Sequence, residues 1–277
     1  MGGIRFLIAR SIEHRETPAA LDRFGAQLAH EIGQDVRLEV VPTYAALEAA
    51  MNAGEAQLAW VPPILLADND DTRLSPLVTS LRGGAAEYCS VLFVRADSDV
   101  YTLGDLRGSK VAWVDRCSAA GYLLPRMHLI AEGLRLDSLF AHELFLGSHD
   151  AVVRAVFEGK VDVGATFGGP PSSTGHDADE RSGFHLIEPR RPVRVIFRSA
   201  PVPSDAVVCD AALPNDLRIR VITALIHLGT FAVGRMVTRR LFGADGFVTF
   251  DPRALSQLRS LVTGARARGW LPWGAPP

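Results

Sequence analysis

Residues 111–125, VAWVDRCSAAGYLLP, have the residue types and spacing best suited to binding an anion. A short apolar run ends at Asp115, small residues follow from Cys117 to Gly121, and apolar residues then recur at helical spacing from Leu123. A helix that begins directly after a strand and a small-residue turn presents unpaired backbone N–H groups and a partial positive charge. The segment therefore predicts a site for phosphate, phosphonate, sulfonate or carboxylate.

Two further side chains could take part in chemistry at such a site. His149 directly follows Ser148, a predicted N-cap, so its imidazole could donate to an anion with help from the helix dipole; a purely structural histidine is the alternative. Cys117 adjoins a predicted helix N-terminus, which can lower the pKa of a thiol. No Cys–His pattern is visible, so we interpret Cys117 as a small residue packed in the turn.

Composition excludes several functional classes. The 277 residues suffice for one large domain or two smaller ones, and a hydrophobic content of 48% with 22% charged residues is typical of a globular protein. A net charge of −2 lacks the excess of basic residues that is typical of nucleic-acid-binding proteins. No apolar stretch has the length of a membrane span. The cysteines Cys89, Cys117 and Cys209 are odd in number and lack metal-type spacing, so neither a disulfide framework nor a zinc site is expected. We predict no cofactor and no metal.

Strand-like and helix-like segments alternate along the chain, which predicts an α/β fold with mixed, mostly parallel sheets flanked by helices. The predicted strands are Ile4–Ala9, Val36–Val41, Gln57–Trp60, Tyr88–Arg95, Lys110–Val114, His142–Phe145, Val161–Thr166, Val193–Phe197 and Ala206–Cys209. The predicted helices are Thr17–Ile32, Tyr44–Asn52, Ser118–Glu132, Asp150–Glu158, Asn215–Leu228 and Pro252–Arg266.

Two crossings predict a two-lobed organisation. Gly83-Gly84 precedes one long strand, and residues 198–203 follow another. We expect residues 1–86 and 200–277 to form the first lobe, with the C-terminal helices packed on it, and residues 87–199 to form the second. Residues 168–183, rich in Gly, Pro, Ser and charge, predict an exposed loop.

The order of short motifs resembles that of the phosphonate-type substrate-binding proteins of bacterial ABC importers. The matching segments are residues 44–49, 56–60, 87–98, 103–108, 147–150, 158–163 and 198–205, together with the loop at Ser118. The resemblance covers about two thirds of the chain and implies the two-lobed type II periplasmic-binding-protein fold. It also implies a ligand clamped between the lobes, with its phosphonate-type group near Ser118.

The resemblance implies further ligand-binding residues, each with a structural alternative. Tyr44 is expected to be a pocket aromatic with a hydroxyl donor, and the alternative is a half-buried surface tyrosine. Tyr88, at the first crossing, is expected to face either the cleft, as a pocket residue, or the hinge. Trp60 is expected either to line the cleft or to cap the core. Asp205 could pair with a ligand amine or form a turn, held in an ion pair by Arg194 or Arg198.

The anion loop departs from the family pattern, which is rich in Ser and Thr. Ser118 remains, but Ala119 and Ala120 follow it, and Arg116 stands where proline is common. Fewer hydroxyl donors predict weaker binding of a tetrahedral anion, because each charge-assisted hydrogen bond contributes about 1.5–3 kcal/mol. Arg116 could compensate through a bidentate contact to carboxylate or phosphate, or could point to solvent.

The leading hypothesis is a non-catalytic protein that binds a small anionic or zwitterionic solute, such as a phosphonate or phosphate, for ABC-type uptake through a permease. The alternatives are a cytoplasmic enzyme on the same fold, with His149, Asp205 and Cys117 as candidate catalytic residues, and a cytoplasmic ligand sensor. The N-terminus reads directly as a strand. We therefore expect a periplasmic or lipid-anchored protein if a leader has been removed, and a cytoplasmic one if the first residue is native.

Overall fold

The structure, a computed structural model, describes residues 3–9, 17–68, 73–170 and 177–270. The chain divides into two compact units. The first comprises Met1–Ala86 and Pro203–Leu255, and the second comprises Glu87–Val202 and Ser256–Pro277. This division differs from the expected lobes at the C-terminus, because the helix that begins at Ser256 belongs to the second unit and not to the first.

The secondary structure alternates as the sequence pattern predicts. The described strands are β1 Ile4–Ala9, β2 Val36–Val41, β3 Leu58–Val61, β4 Leu74–Leu81, β5 Glu87–Arg95, β6 Lys110–Trp113, β7 His142–Phe145, β8 Val163–Gly168, β9 Val193–Arg198, β10 Val202–Pro203, β11 Ala206–Asp210 and β12 Gly246–Thr249. The described α-helices are α1 Pro18–Ile32, α2 Tyr44–Asn52, α3 Pro63–Asp68, α4 Leu124–Ala131, α5 His149–Phe157, α6 Asp177–Glu180, α7 Gly183–Ile187, α8 Asn215–Leu228, α9 Ala232–Phe242 and α10 Ser256–Ala267. A π-helical turn covers Ala119–Leu123, directly before α4.

The first unit is built on a sheet with the strand order β12-β4-β11-β3-β1-β2. β1 pairs in parallel with β2 and β3, whereas β11 pairs antiparallel with β3 and β4. α1, α8 and α9 bury their apolar residues against this sheet. At the centre of that core the ring of Phe242 lies 5.0 Å from the ring of Phe24 and 6.2 Å from that of Phe6.

The second unit is built on a sheet with the order β10-β5-β8-β6-β7, and β9 pairs with the other side of β5. β6 runs parallel to β7 and β8, so the carboxyl ends of these three strands lie along one edge of the sheet. β5 runs antiparallel to β8, and its first residues pair with the end of β8, Cys89 opposite Gly168. This edge is where the loops that follow β6, β7 and β8 emerge.

The mixed α/β class is confirmed, but the share of parallel pairing is smaller than predicted. β4, β11 and β12 form an antiparallel group within the first sheet, and β4 and β12 were absent from the prediction. Each predicted strand is present, with ends that shift by at most two residues. The predicted loop over residues 168–183 contains α6, while residues 171–176 lie outside the described part of the chain. Within the described ranges no single helix has the length and apolar composition of a membrane span.

Candidate functional site

A β-turn begins the predicted anion loop at the end of β6. The N–H of Ser118 donates to the carbonyl of Asp115 over 3.2 Å, and this hydrogen bond closes the turn. The carboxylate Oδ1 of Asp115 accepts a hydrogen bond from the N–H of Cys117 over 2.7 Å. Burial raises the pKa of Asp115, and the hydrogen bonds from the Cys117 and Ser118 amides oppose that rise. The Asp115 carboxylate is therefore engaged in holding the turn.

Ser118, predicted as the first residue of a helix, is instead the N-cap of that helix. Its Oγ accepts from the N–H of Gly121 over 3.1 Å, and the first turn is π-helical, with the N–H of Leu123 donating to the carbonyl of Ser118. Ser90 on β5 donates its hydroxyl to the carbonyl of Ala120 over 2.7 Å and so ties the turn to the sheet. Gly121 approaches β6 so closely that a Cβ there would lie 2.3 Å from Cγ2 of Val114.

The backbone N–H groups of Ala119 and Ala120 are the donors that this arrangement leaves for a ligand. Neither donates to another residue in the described part of the chain. Both stand at the start of a helix, where the partial positive charge of the helix dipole lies. The loop thus has the geometry and the polarity to hold an oxyanion.

A second helix start lies beside the first, at the end of β7. Ser148 caps α5 by accepting from the N–H of Ala151 over 3.2 Å. The N–H of Gly147 donates to the carbonyl of Val114 over 2.8 Å, which links the loop after β7 to the loop after β6. Two helix N-termini therefore follow adjacent parallel strands at the same edge of the sheet.

His149, the first residue of α5, is held at this edge by a residue that the sequence did not reveal. Its Nδ1 lies 2.9 Å from Oγ1 of Thr166 on β8, and its ring meets the ring of Phe167 edge-on at 5.0 Å. Thr166 is fully buried. A lone threonine in the apolar strand β8 is the only sequence signal that could have indicated this contact.

Arg116 and Cys117 occupy the exposed corner of the turn. The guanidinium carbon of Arg116 lies 4.7 Å from the centre of the Phe145 ring, at the end of β7. Cys117 is an exposed residue, so the expected packing in the turn is not observed. Desolvation of its thiol and the nearby Asp115 carboxylate raise the pKa of Cys117, which is the opposite of what a nucleophilic cysteine needs.

The predicted site residues of each unit gather at one edge of that unit's sheet. In the second unit, Tyr88 is the second residue of β5 and lies beside the end of β8, at the edge that carries the anion loop and His149. In the first unit, Tyr44 begins α2 just after β2, Trp60 lies near the end of β3, and Asp205 directly precedes β11, whose Ala206 pairs with Val61. Ligand sites in open α/β sheets form at such carboxyl ends.

Two first-unit residues have clear structural roles. Trp60 is 4% exposed and packs against Phe242 at 5.4 Å, which fits the core alternative. Asp205 forms an ion pair with Arg82, with Oδ2 and Nη2 2.6 Å apart. Arg82 and not Arg194 or Arg198 is therefore the partner of Asp205, and this correction could not be read from spacing because 123 residues separate the two.

Arg194 and Arg198 hold other parts of the second unit. Arg194 donates to the carbonyls of Ala96, Ser98 and Val100, and Arg198 donates to the carbonyl of Gly169 and pairs with Asp179.

A surface cavity of about 400 Å³ lies elsewhere, between α1 and the connection from α8 to α9. It is lined by Arg23, Ala26, Gln27, His30, Glu31 and Phe231 and contains none of the predicted site residues. Because this cavity is shallow and lies at the surface, the sheet edge remains the better candidate for the ligand site. In the described ranges, no three His, Cys, Asp or Glu side chains are grouped so that they could hold a metal ion.

Comparison with known proteins points to one family. Residues 6–255 match the family described as the periplasmic substrate-binding protein of the phosphonate ABC transporter. A phosphate-import protein PhnD from Mycolicibacterium smegmatis is 31% identical over 160 residues, which are 54% of this chain and 50% of that protein. The chain thus spans about half the length of this curated relative.

Solved structures share the fold. A Xanthomonas citri protein bound to ATP aligns with a TM-score of 0.72 and 24% identity, covering 95% of this chain and 98% of that one. A binding component of a phosphonate ABC transporter from Pseudomonas aeruginosa aligns with a TM-score of 0.66 and 20% identity, and the alignment covers 96% of this chain and 88% of that one. PhnD1 from Prochlorococcus marinus, in complex with methylphosphonate, aligns with a TM-score of 0.65 and 16% identity, and the alignment covers 96% of this chain and 98% of that one. Since the family match spans most of the sequence, the chain belongs to the phosphonate periplasmic substrate-binding proteins of ABC transporters.

Proposed function

We propose that this chain binds a small oxyanion of the phosphonate or phosphate class and delivers it to an ABC permease. The observation that carries the proposal is the pair of helix starts at one edge of the second sheet, where the N–H groups of Ala119 and Ala120 have no donor contact with the described residues. Backbone amides at a helix start bind an oxyanion without any need for a basic side chain.

The ligand's oxyanion is bound by the Ala119 and Ala120 amides, with the Ser118 hydroxyl as a further donor. His149, fixed by Thr166, contributes a ring N–H at the neighbouring helix start. Tyr44 keeps the role that the resemblance implies, a hydroxyl donor beside an apolar ring, and Tyr88 keeps its predicted role as a pocket residue. Asp205 is left out of this set, because Arg82 already holds its carboxylate.

The relatives support this choice of ligand. The curated relative is a phosphate-import protein, and a solved structure with the same fold holds methylphosphonate. The family consists of substrate-binding proteins of importers and not of enzymes. The raised pKa of Cys117 agrees, since a thiol that resists ionisation is a poor nucleophile. The family's description as periplasmic supports a periplasmic location for this chain, and its description as part of an ABC transporter supports a permease as the partner.

Ala119→Pro tests the proposal at a single donor. Ala119 is the first helical residue, where proline is tolerated, and Ser118 before it is extended, with φ −67° and ψ 117°, as a residue preceding proline should be. The change removes one amide donor and leaves the helix start intact. We expect methylphosphonate or phosphate, measured by calorimetry, to bind about 10-fold more weakly or worse, from the loss of a charge-assisted hydrogen bond of about 1.5–3 kcal/mol.

Ala119→Ser is the matched control, because it keeps the amide and adds a hydroxyl of the kind common in the family. We expect it to bind at least as tightly as the unchanged chain and to melt at the same temperature. If the unchanged chain binds none of phosphate, methylphosphonate or ethylphosphonate, the proposed function is wrong. If Ala119→Pro and the unchanged chain bind the ligand equally tightly, the anion does not bind at this loop.

A further inference from the structure

Arg116 is a cation held in place beside the anion loop. Its guanidinium carbon lies 4.7 Å from the centre of the Phe145 ring, within the range of a cation–π contact. The Phe145 ring is itself held edge-on by Tyr122 at 5.2 Å, and Tyr122 is 7% exposed. Phe145 therefore forms a fixed platform, of which 38% remains exposed.

The hydrogen-bond donors of this guanidinium are not used by the protein. In the described residues, Arg116 makes no ion pair and no side-chain hydrogen bond. The carboxylate next to it, Asp115, accepts from the Cys117 and Ser118 amides instead. Arg126 shows the contrast, because it also lies over an aromatic ring, that of Tyr122, but pairs with Glu143.

The position of Arg116 in the turn brings it close to the ligand donors. It is the second residue of the β-turn closed by Ser118 and Asp115, three residues before Ala119. The four residues of a β-turn span less than about 7 Å between their end Cα atoms, so the side chain starts beside the helix N-terminus. A planar guanidinium with free N–H groups binds carboxylate or phosphate in a bidentate manner.

We propose that Arg116, seated on Phe145, binds a second acidic group of the ligand, so that this chain prefers solutes with two anionic groups. The first group, a phosphonate or phosphate, lies on the Ala119 and Ala120 amides, and the second, a carboxylate or another phosphoryl group, lies on Arg116. The inference rests on the proposed function and specifies the substrate class of the same site. It also accounts for the small side chains at positions 119 and 120, because charge on the second group replaces hydroxyl contacts to the first.

The test compares phosphonoacetate, which carries two acidic groups, with methylphosphonate, which carries one. We expect the unchanged chain to bind phosphonoacetate about 10-fold more tightly or better, since a bidentate Arg–carboxylate contact is a strong, charge-assisted one. Arg116→Gln should abolish most of that ratio of affinities, and Arg116→Lys should restore only part of it, because an ammonium has no fork of parallel donors. Phe145→Leu should reduce the ratio a few-fold, since the cation–π contact that seats Arg116 is lost.

Arg107→Gln is the control for net charge. Arg107 is exposed and precedes the amino end of β6, at the edge opposite the anion loop. Its substitution should not change the ratio of the affinities for phosphonoacetate and methylphosphonate. If methylphosphonate binds but phosphonoacetate binds no better, or if Arg116→Gln leaves the ratio intact, the inference is wrong and the proposed function stands. If the unchanged chain binds neither compound, the proposed function fails and the inference fails with it.

Discussion

Gly121 is the residue at which the anion loop has least room for change. A Cβ at this position would lie 2.3 Å from Cγ2 and 2.7 Å from Cβ of Val114, and 2.9 Å from Oγ of the capping Ser118. Val114 belongs to a fully buried stretch and cannot retreat. The contact fixes the distance between the end of β6 and the helix, and hence the position of the amides on which binding depends.

Gly121→Ala should therefore impair both stability and binding. Overpacking of this kind costs about 1–3 kcal/mol of unfolding free energy, and the displaced loop should bind methylphosphonate at least about 10-fold more weakly. Denaturant melts and calorimetry provide the two measurements. Gly104→Ala is the matched change, because the nearest atom to its new Cβ, Oγ1 of Thr102, lies at an ordinary 3.5 Å. Unaltered binding by Gly121→Ala would show that the loop position does not matter.

His128 on α4 gives the second unit a pH-dependent stability. Burial lowers the pKa of its imidazole from the ordinary value of 6.5, with a smaller opposing effect of Glu132, and the ring lies 5.0 Å from that of Phe197. The unfolded chain then binds this proton more readily than the folded chain. The stability that depends on neutral His128 is fully present above the unfolded pKa and is lost as the pH falls.

His128→Leu should remove that dependence. Between about pH 7.5 and pH 5.5 the unfolding free energy of the unchanged chain should fall, and that of the variant should fall less. The window lies above the region in which Glu39, whose pKa is lowered by its hydrogen bond to Arg5, loses its contribution. Chemical denaturation at a series of pH values measures both curves. Parallel curves would mean that His128 is not the group that titrates.

At the scale of residues, the sequence indicated the parts of the site that are local. The N-cap Ser148 is confirmed because a cap and the amide from which it accepts lie three residues apart, and Ser118, predicted as a helix start, caps its helix in the same way. The pairs Thr166 with His149 and Phe145 with Arg116 join separate strands and loops, so no spacing reveals them. The ligand roles of these residues stay predictions.

At the scale of elements, the absence of β4, one of the two first-unit strands missing from the prediction, has a visible cause. β4 contains Pro76, which has no N–H to donate to a neighbouring strand. The structure accommodates it at an irregularity, where the register of β11 against β4 shifts between Val207 and Val208, and Val208 faces Pro76. A proline within an apolar run argues against a strand in sequence, and only the neighbour across the sheet shows how it is tolerated.

The helix α9 was missed for a related reason. It contains Gly234, a poor helix former, and follows α8 after only three residues, with a bend of 101° between the two helices. A Cβ on Gly234 would lie 2.1 Å from the carbonyl oxygen of Leu228, so this close approach requires glycine. The tight corner between α8 and α9, and not helix propensity, therefore explains why position 234 is a glycine. The helices α1 and α2, each with a threonine N-cap, were predicted to within a residue.

At the scale of the whole molecule, the last helix joins a core that its position in the chain did not indicate. α10 contacts α4, and its buried residues Leu258, Val262 and Ala265 are between 1% and 2% exposed. An amphipathic stripe in the sequence shows that a helix will pack, but not against which partner. The division at Gly83-Gly84 and near residue 200 could be predicted because it follows local glycine and proline signals.

Leu258→Ala should loosen the second unit in preference to the first. Removing a buried leucine side chain costs about 2–5 kcal/mol. Amide hydrogen exchange should therefore accelerate in α4 more than in α1, which belongs to the first unit. Arg259→Ala, on the exposed face of the same helix, should change neither. Equal acceleration in both units would show that α10 supports the first unit as much as the second.

The interleaving of the two units has a consequence for biosynthesis. β11 lies between β3 and β4, yet the ribosome produces it only after all of residues 87–202. The second unit in turn waits for α10, which begins at Ser256. Neither unit is complete until the ribosome has synthesised the chain as far as Leu255, so co-translational folding cannot proceed one unit at a time.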